Sequence, residues 1–292
     1  MKEERTVTGD QQQGSISVVI PARNESANIV RCLESIHDAI RSYGGSINEL
    51  LVIDDGSNDD TGTLAQRSGA TVIRHESSQG VLSSWIEGYN SCSSDLIIFV
   101  DADCIIDVLA FSQLAKNFSD RTVGLVSGKI APLEPPSNVW SLSAKFSCLI
   151  VNELSQRIDN HNLLAIGRLL AVRRVGRISL DERAFPCDLQ MANYYRSLGY
   201  NLLFDNKAVV YYSLETSLHA LRADWQRTRA STELRSSADV LELGMRARIF
   251  YSCMVQAPVA AVSWTFCHFL LSIGPRSNHI DWSRWGPNGD PQ

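Results

Sequence analysis

Two carboxylates one residue apart, Asp101 and Asp103, close a run of five apolar residues from Leu96 to Val100. Such a run reads as a strand buried on both faces, with the acidic pair standing where the strand leaves the sheet. In open α/β sheets, ligands bind outside the carboxyl ends of the strands. Carboxylates this close repel each other unless a cation or a set of donors neutralises them. Their oxygens are hard ligands, no histidine is near in sequence, and Cys104 is the one soft neighbour. That donor set favours Mg2+ or Mn2+ over zinc, and an ion held there would grip a diphosphate. A solvated Asp-x-Asp turn is the alternative for an isolated pair.

The elements upstream place other polar groups at the same edge. Residues 16–20 form an apolar run closed by Pro21-Ala-Arg-Asn-Glu25, and residues 50–53 one closed by Asp54-Asp-Gly-Ser57. Between them, Ile29, Leu33, Ile36 and Ile40 repeat at helical spacing. A second helix opens near Asp59-Asp60-Thr61, a short strand covers residues 71–73 and a further helix residues 81–89. Strand alternating with helix at this spacing means a parallel, doubly wound sheet. Six side-chain carboxylates or amides then line one cleft, where a nucleotide fits: carboxylates accept from base and ribose while a metal neutralises the diphosphate. A Gly-x-x-x-x-Gly-Lys loop and a Gly-x-Gly-x-x-Gly turn are both missing, which excludes the common phosphate-binding alternatives.

Composition agrees with an ordinary globular protein. The chain has 292 residues, 44% hydrophobic and 20% charged, with a net charge of -5 that implies no affinity for nucleic acid. The seven cysteines form no Cys-x-x-Cys pair and several lie within apolar runs, as in a reducing compartment. Residues 1–14 read as a disordered polar leader. Pro132-Leu-Glu-Pro-Pro136 separates a nucleotide-binding half, residues 15–131, from an acceptor half, residues 137–240. That second half holds helical patterns at 139–158 and 188–198, the latter ended by Gly199, strands at 202–204 and 208–212, and a polar helical stretch from 217 to about 243. Residues 249–275 contain no Asp, Glu, Lys or Arg and follow Arg246 and Arg248; residues 276–292 are a tail. This segment is long enough to span a membrane, yet it holds Gln256, Pro258 and His268. A spanning or re-entrant segment, an in-plane interfacial helix and a packed core helix are its three readings, the first leading.

At this point the chain resembles the family 2 glycosyltransferases of GT-A fold. The matching residues are Ser17-Val-Val-Ile-Pro-Ala-Arg-Asn-Glu25, Leu51-Val-Ile-Asp-Asp-Gly-Ser57 and Ile97-Ile-Phe-Val-Asp-Ala-Asp103. The likeness continues through Gly167-Arg-Leu-Leu-Ala-Val-Arg-Arg174 and Cys187-Asp-Leu-Gln-Met-Ala-Asn-Tyr-Tyr-Arg-Ser-Leu-Gly199. The resemblance, which runs from about residue 15 to 235, implies the GT-A fold, a doubly wound, mainly parallel sheet with a smaller acceptor-side region, in a domain read as residues 15–240; the C-terminal hydrophobic helix is read from the lack of charge in residues 249–275. The resemblance also implies inverting transfer of a sugar from a nucleotide diphosphate donor, UDP-linked by preference, with Mg2+ or Mn2+. Pro21, Ala22, Arg23, Glu25, Asp54, Asp55, Gly80, Asp101 and Ala102 would hold the donor, and Asp101 and Asp103 the metal. Asp188 would be the general base that takes the acceptor proton, its competing reading being a helix N-cap. Relatives usually carry Glu-Asp there, where this chain has Cys187-Asp188. Arg227 and Arg229 would pair with diphosphate, and Gly167 and Arg173 would face the acceptor. Two departures are Val81, where many relatives have Lys, and Tyr211-Tyr212-Ser213, where a His is usual.

The expected activity is therefore glycosyl transfer to a glycan or lipid-linked acceptor hydroxyl at the cytoplasmic face of a membrane. Transfer to a polyprenyl phosphate and a nucleotide-sugar binding module without catalysis are the competing readings.

Overall fold

The uninterrupted apolar runs are strands covered on both faces. A computed structural model describes residues 15–157, 167–180, 187–214, 216, 217, 219 and 243–272. Its eight strands are β1 (Ile16–Ala22), β2 (Ile47–Asp54), β3 (Thr71–Arg74), β4 (Leu96–Val100), β5 (Cys104–Ile106), β6 (Val123–Pro132), β7 (Leu169–Arg173) and β8 (Asn201–Tyr212). Five of the helices are α1 (Ile29–Tyr43), α2 (Thr61–Arg67), α3 (Val81–Ser91), α4 (Ala110–Lys116) and α5 (Val139–Arg157). Further along, the described residues also form α6 (Cys187–Ser197), α7 (Leu243–Gln256) and α8 (Pro258–Ser272).

Successive strand residues point to opposite faces, so β1 and β4 divide their side chains between two cores. Ile16, Val18 and Ile20 of β1, with Leu96, Ile98 and Val100 of β4, pack with α1, α4 and α5. Val19, Ile97 and Phe99 face the other way, onto Trp85 and Tyr89 of α3 and Met191 and Tyr195 of α6. Trp85 stacks on Phe99 with ring centroids 4.6 Å apart. Helix α1 buries the predicted stripe of Ile29, Leu33 and Ile36, and stops at Gly44, whose φ of 68° suits a residue without Cβ.

The sheet order is β3-β2-β1-β4-β7-β6-β8-β5. The first four strands are mutually parallel, as expected. Strand β7 then runs antiparallel to β4, so the sheet is mixed beyond that point. This reversal matters for the site: Val100 pairs with Leu169, which carries Gly167 and Arg168 to the edge where Asp101 and Asp103 emerge. Strand β6 is antiparallel to β7 and β8 parallel to β6, so Tyr212 at the end of β8 reaches that same edge. The two strands expected at 202–204 and 208–212 are one, with a register shift opposite Gly128 and Lys129. Asp205 at the irregularity is buried and accepts hydrogen bonds from Asn117 Nδ2 (2.8 Å) and the Lys207 amide (2.9 Å).

The expected membrane-spanning helix is corrected. The uncharged segment breaks at Ala257 into α7 and α8, and among the described residues no helix is long and apolar enough to cross a membrane. Pro258 lacks an amide hydrogen and starts a new helix, as proline does at a first turn. Much of the apolar surface is covered inside the protein: Ile249, Cys253, Ala260 and Ala261 pack on Phe146 of α5, and Trp264 Nε1 donates to Ser147 Oγ at 3.1 Å.

Candidate active site

Two loops at the strand tips are tied together by backbone donors. Asn24 N donates to Ser57 Oγ (3.0 Å), Glu25 N to Thr61 Oγ1 (2.7 Å) and Ser26 N to Asp59 Oδ2 (3.1 Å). The Asp55 amide donates to the Ala22 carbonyl at 2.8 Å. The segment after β1, with Pro21, Ala22 and Arg23 at its tip, is thus fixed against the segment after β2.

Asp54 and Asp55 do different work. Asp54 is fully buried and accepts from Ser57 N (2.9 Å) and Arg74 Nη1 (2.8 Å), closing its own turn. Asp55 accepts from four donors: His75 Nδ1 and Gln79 N on Oδ1, Ser78 Oγ and Gly80 N on Oδ2, all between 2.7 and 2.9 Å. Burial pushes its pKa upward, but the bonds from Gln79, His75, Ser78 and Gly80 outweigh that and hold it below the ordinary value. Its role in the structure is to shape the 75–80 loop. Gly56 is required beneath that loop: its φ is 70°, and a Cβ there would come within 2.9 Å of the Ser77 carbonyl carbon. His75 also bonds Glu87 of α3 through Nε2. Burial lowers its basicity, while the bonds to Asp55 and Glu87 prevail and raise it.

At the tip of β4, ligand atoms of Asp101, Asp103 and Cys104 lie within 4.8 Å of one another. Cys104 is buried, and burial pushes its thiol well above its ordinary range, so it is protonated near neutrality in the metal-free protein. The two carboxylates remain, half-exposed, with Ala102 buried between them. Hard oxygens open to solvent on one side fit Mg2+ or Mn2+. Arg168 approaches both: Nη1 lies 3.3 Å from Asp103 Oδ2 and 4.0 Å from Asp101 Oδ2.

Asp188 stands in the first turn of α6 and accepts from the Leu189 amide at 2.8 Å. Gly167 ties it to the acidic pair. A Cβ on Gly167 would meet Asp188 Cβ at 3.4 Å and the Trp85 ring at 3.5 Å, and the next carbonyl, that of Arg168, accepts from Asp101 N at 3.3 Å. The Cys187 thiol, pushed up chiefly by burial, is raised further by Asp188 and Asp101 together.

The sequence profile of glycosyl transferase family 2 matches residues 17–175, more than half of the chain. The chain belongs to that family. Among family 2 relatives, Glycosyltransferase AglE of Haloferax volcanii is 25% identical over 205 residues, covering 66% of this chain and 65% of that protein. Glucosyl-3-phosphoglycerate synthase of Mycobacterium tuberculosis is 36% identical over 98 residues, 31% of this chain and 29% of the other. The alignments therefore span less than two thirds of these relatives' length. Among solved structures, the mannosyltransferase PcManGT of Pyrobaculum calidifontis with GDP-Man and Mn2+ superposes with a TM-score of 0.57. It is 18% identical, with 90% of this chain and 77% of that one covered. The mycobacterial synthase with Mn2+, UDP and its product gives 0.54 at 23% identity, covering 78% and 82%. These two share the fold.

Within the family 2 framework, Pro21, Ala22, Arg23, Glu25, Asp54, Asp55, Gly80, Asp101, Ala102, Asp103 and Gly167 are carried by connected strand tips and the loops bonded to them, and Asp188, in the first turn of α6, lies beside Gly167. Arg173 is not. It pairs with Leu96 at the opposite end of β4, four residues or about 13 Å from Val100. Its guanidinium donates to the carbonyls of Phe118, Asp120 and Val123 and stays far from any acceptor at Gly167. Arg227 and Arg229 lie outside the described residues. Sequence reading gave no role to His75 and Arg168. His75 had a signal, since it follows the third parallel strand; Arg168 depends on the pairing of β7 with β4, which no local pattern announces.

Glu25 is 1% exposed; its Oε2 accepts from Asn28 Nδ2 at 2.7 Å, and its Oε1 has no hydrogen-bond partner among the described residues. Burial drives its pKa up to about 7, Asn28 opposes this, and Asp103 and Asp101 add to it. A buried acceptor awaiting a donor suits a ribose hydroxyl or base N–H. The linkage has a definite sign. As pH rises from 4.5, the unfolded chain releases this proton before the folded protein does, so stability falls until about pH 7. A shift of this size corresponds to at most about 3 kcal/mol. Glu25→Gln removes the penalty. In urea titrations with EDTA, the variant gains on the wild type between pH 5 and pH 8; an equal difference at both pH values would refute the assignment.

Proposed function

We propose that this chain transfers a sugar from a nucleotide diphosphate donor to an acceptor hydroxyl, with inversion at the anomeric carbon. The supporting observation is the Gly167–Arg168 turn, which joins the Asp101/Asp103 pair to Asp188 across one gap. Asp188 takes the hydroxyl proton as the acceptor oxygen bonds the anomeric carbon, and the bond from that carbon to the diphosphate oxygen breaks. Asp101 and Asp103 would hold Mg2+ or Mn2+, which when bound would supply Lewis-acid stabilisation of the departing diphosphate. Glu25 with its vacant acceptor, and the loop that Asp55 shapes through Gly80, hold the nucleoside.

The acceptor is assigned to a membrane surface, glycan- or lipid-linked, with the protein at the cytoplasmic face. Tyr251, Val255, Val259 and Val262 support this, each more than 60% exposed on α7 and α8. A relative from Pyrococcus furiosus, 32% identical over 118 residues, is a dolichol-phosphate mannosyltransferase. One panel tests the whole reading: UDP- and GDP-linked sugars with Mn2+, offered free glycans or lipid-linked acceptors in vesicles. Consumption of one donor, faster with vesicle-borne acceptor, is the expected outcome. Tight donor binding with neither transfer nor slow hydrolysis would leave a binding module. Turnover confined to soluble acceptors, by protein that does not sediment with vesicles, would remove the membrane.

A further inference from the structure

The Asp101/Asp103 pair is already faced by a cation that belongs to the chain. Arg168 Nη1 lies 3.4 and 3.3 Å from the two oxygens of Asp103, 4.0 Å from Asp101 Oδ2 and 3.8 Å from Cys104 Sγ. Its guanidinium carbon sits 4.1 Å from the centroid of the Tyr212 ring, so an aromatic face holds it from behind. The contacts to Asp103 are longer than a charge-assisted hydrogen bond of 2.7–2.9 Å, which marks a charge near the pair and not a locked fork. The side chain is 24% exposed and Asp103 28%, so both have room to move.

A divalent ion and this guanidinium need the same oxygens. We propose that Arg168 is a tethered competitor of the metal: it neutralises Asp101 and Asp103 in the free protein, and yields them only when a nucleotide diphosphate arrives with the ion. The diphosphate is itself an anion beside the pair, and a guanidinium released from Asp103 finds phosphate oxygens of matching geometry. Metal and donor then bind as one coupled event, and metal alone binds weakly. Arg168 is in this view a positioning residue, acting through the carboxylates.

The proposal rests on the metal reading above, and metal binding separates the two. Mn2+ affinity is measured by titration calorimetry or by the spectrum of free Mn2+, with and without UDP and GDP, on wild type, Arg168→Met and Arg168→Lys. Both variants keep a side-chain stem over Tyr212. In Arg168→Met, Mn2+ alone binds at least tenfold tighter than in wild type, and the enhancement by nucleotide shrinks by a similar factor. Arg168→Lys keeps the charge and stays near wild type. If removing the arginine weakens stability, Mn2+ alone lifts the melting temperature of Arg168→Met more than that of wild type. Equal or weaker Mn2+ binding by Arg168→Met, or identical behaviour of the Met and Lys variants, would overturn the competition. Failure of every form to bind Mn2+, nucleotide present or not, would overturn the metal site along with it.

Discussion

Asp103→Asn lowers kcat about a thousandfold while the protein stays folded. Asparagine keeps the shape of the side chain but removes the charge that a hard cation needs. A metal acting as Lewis acid on a departing diphosphate supplies several kcal/mol of charge stabilisation in the transition state. At 1.36 kcal/mol per factor of ten, losing about 4 kcal/mol is a thousandfold. The structural cost is small by comparison. Asp103 and Arg168 are both partly exposed, and pairs of that kind contribute between nothing and about 1 kcal/mol. Steady-state kinetics, Mn2+ affinity and a melting curve on the same preparation check the two halves of the claim. Turnover within tenfold of wild type would detach this carboxylate from the chemistry.

The parts of this arrangement that were legible in sequence share a physical cause. Strands β1, β2 and β4 each have a paired neighbour on both sides, so they alternate between two apolar cores and read as unbroken runs. The carboxylates show because a parallel sheet puts all such strand ends at one edge. Strand β6 did not show, because close backbone approach demands glycine within it. A Cβ on Gly128 would come within 2.7 Å of the Ala208 carbonyl oxygen, and one on Gly124 within 2.7 Å of Tyr200. Those glycines weaken any strand signal. Arg168 was legible as a residue but not as a neighbour of Asp103, since the antiparallel pairing of β7 is long-range. Arg173 shows the converse error: one arginine precedes β7 and the other ends it, and only knowledge of the strand's direction tells which end meets the site. The uncharged C-terminal segment failed for a further reason. Hydropathy records that surface is apolar, not whether lipid or α5 covers it.

Asp188→Asn separates a base from a cap, because only one of the two roles needs a proton acceptor of carboxylate strength. The side-chain oxygen that receives the Leu189 amide is preserved in asparagine, which caps helices as well as aspartate does. Thermal stability should therefore stay close to wild type. Activity should not: general-base catalysis is worth about 10²–10⁴-fold, so kcat for transfer to a hydroxyl falls by at least a hundredfold. Donor binding is made by the strand tips and not by α6, so the donor KM changes little. The acidic limb of the pH–rate profile, set by ionisation of the base, disappears with it. The acceptor's chemistry gives this experiment a second reading. A polyprenyl phosphate is already an anion and has no proton to lose, so with such an acceptor Asp188→Asn would turn over within a few-fold of wild type. A variant that is both stable and fast on a hydroxyl acceptor would leave Asp188 as a cap alone, and the gap at Gly167 without its base.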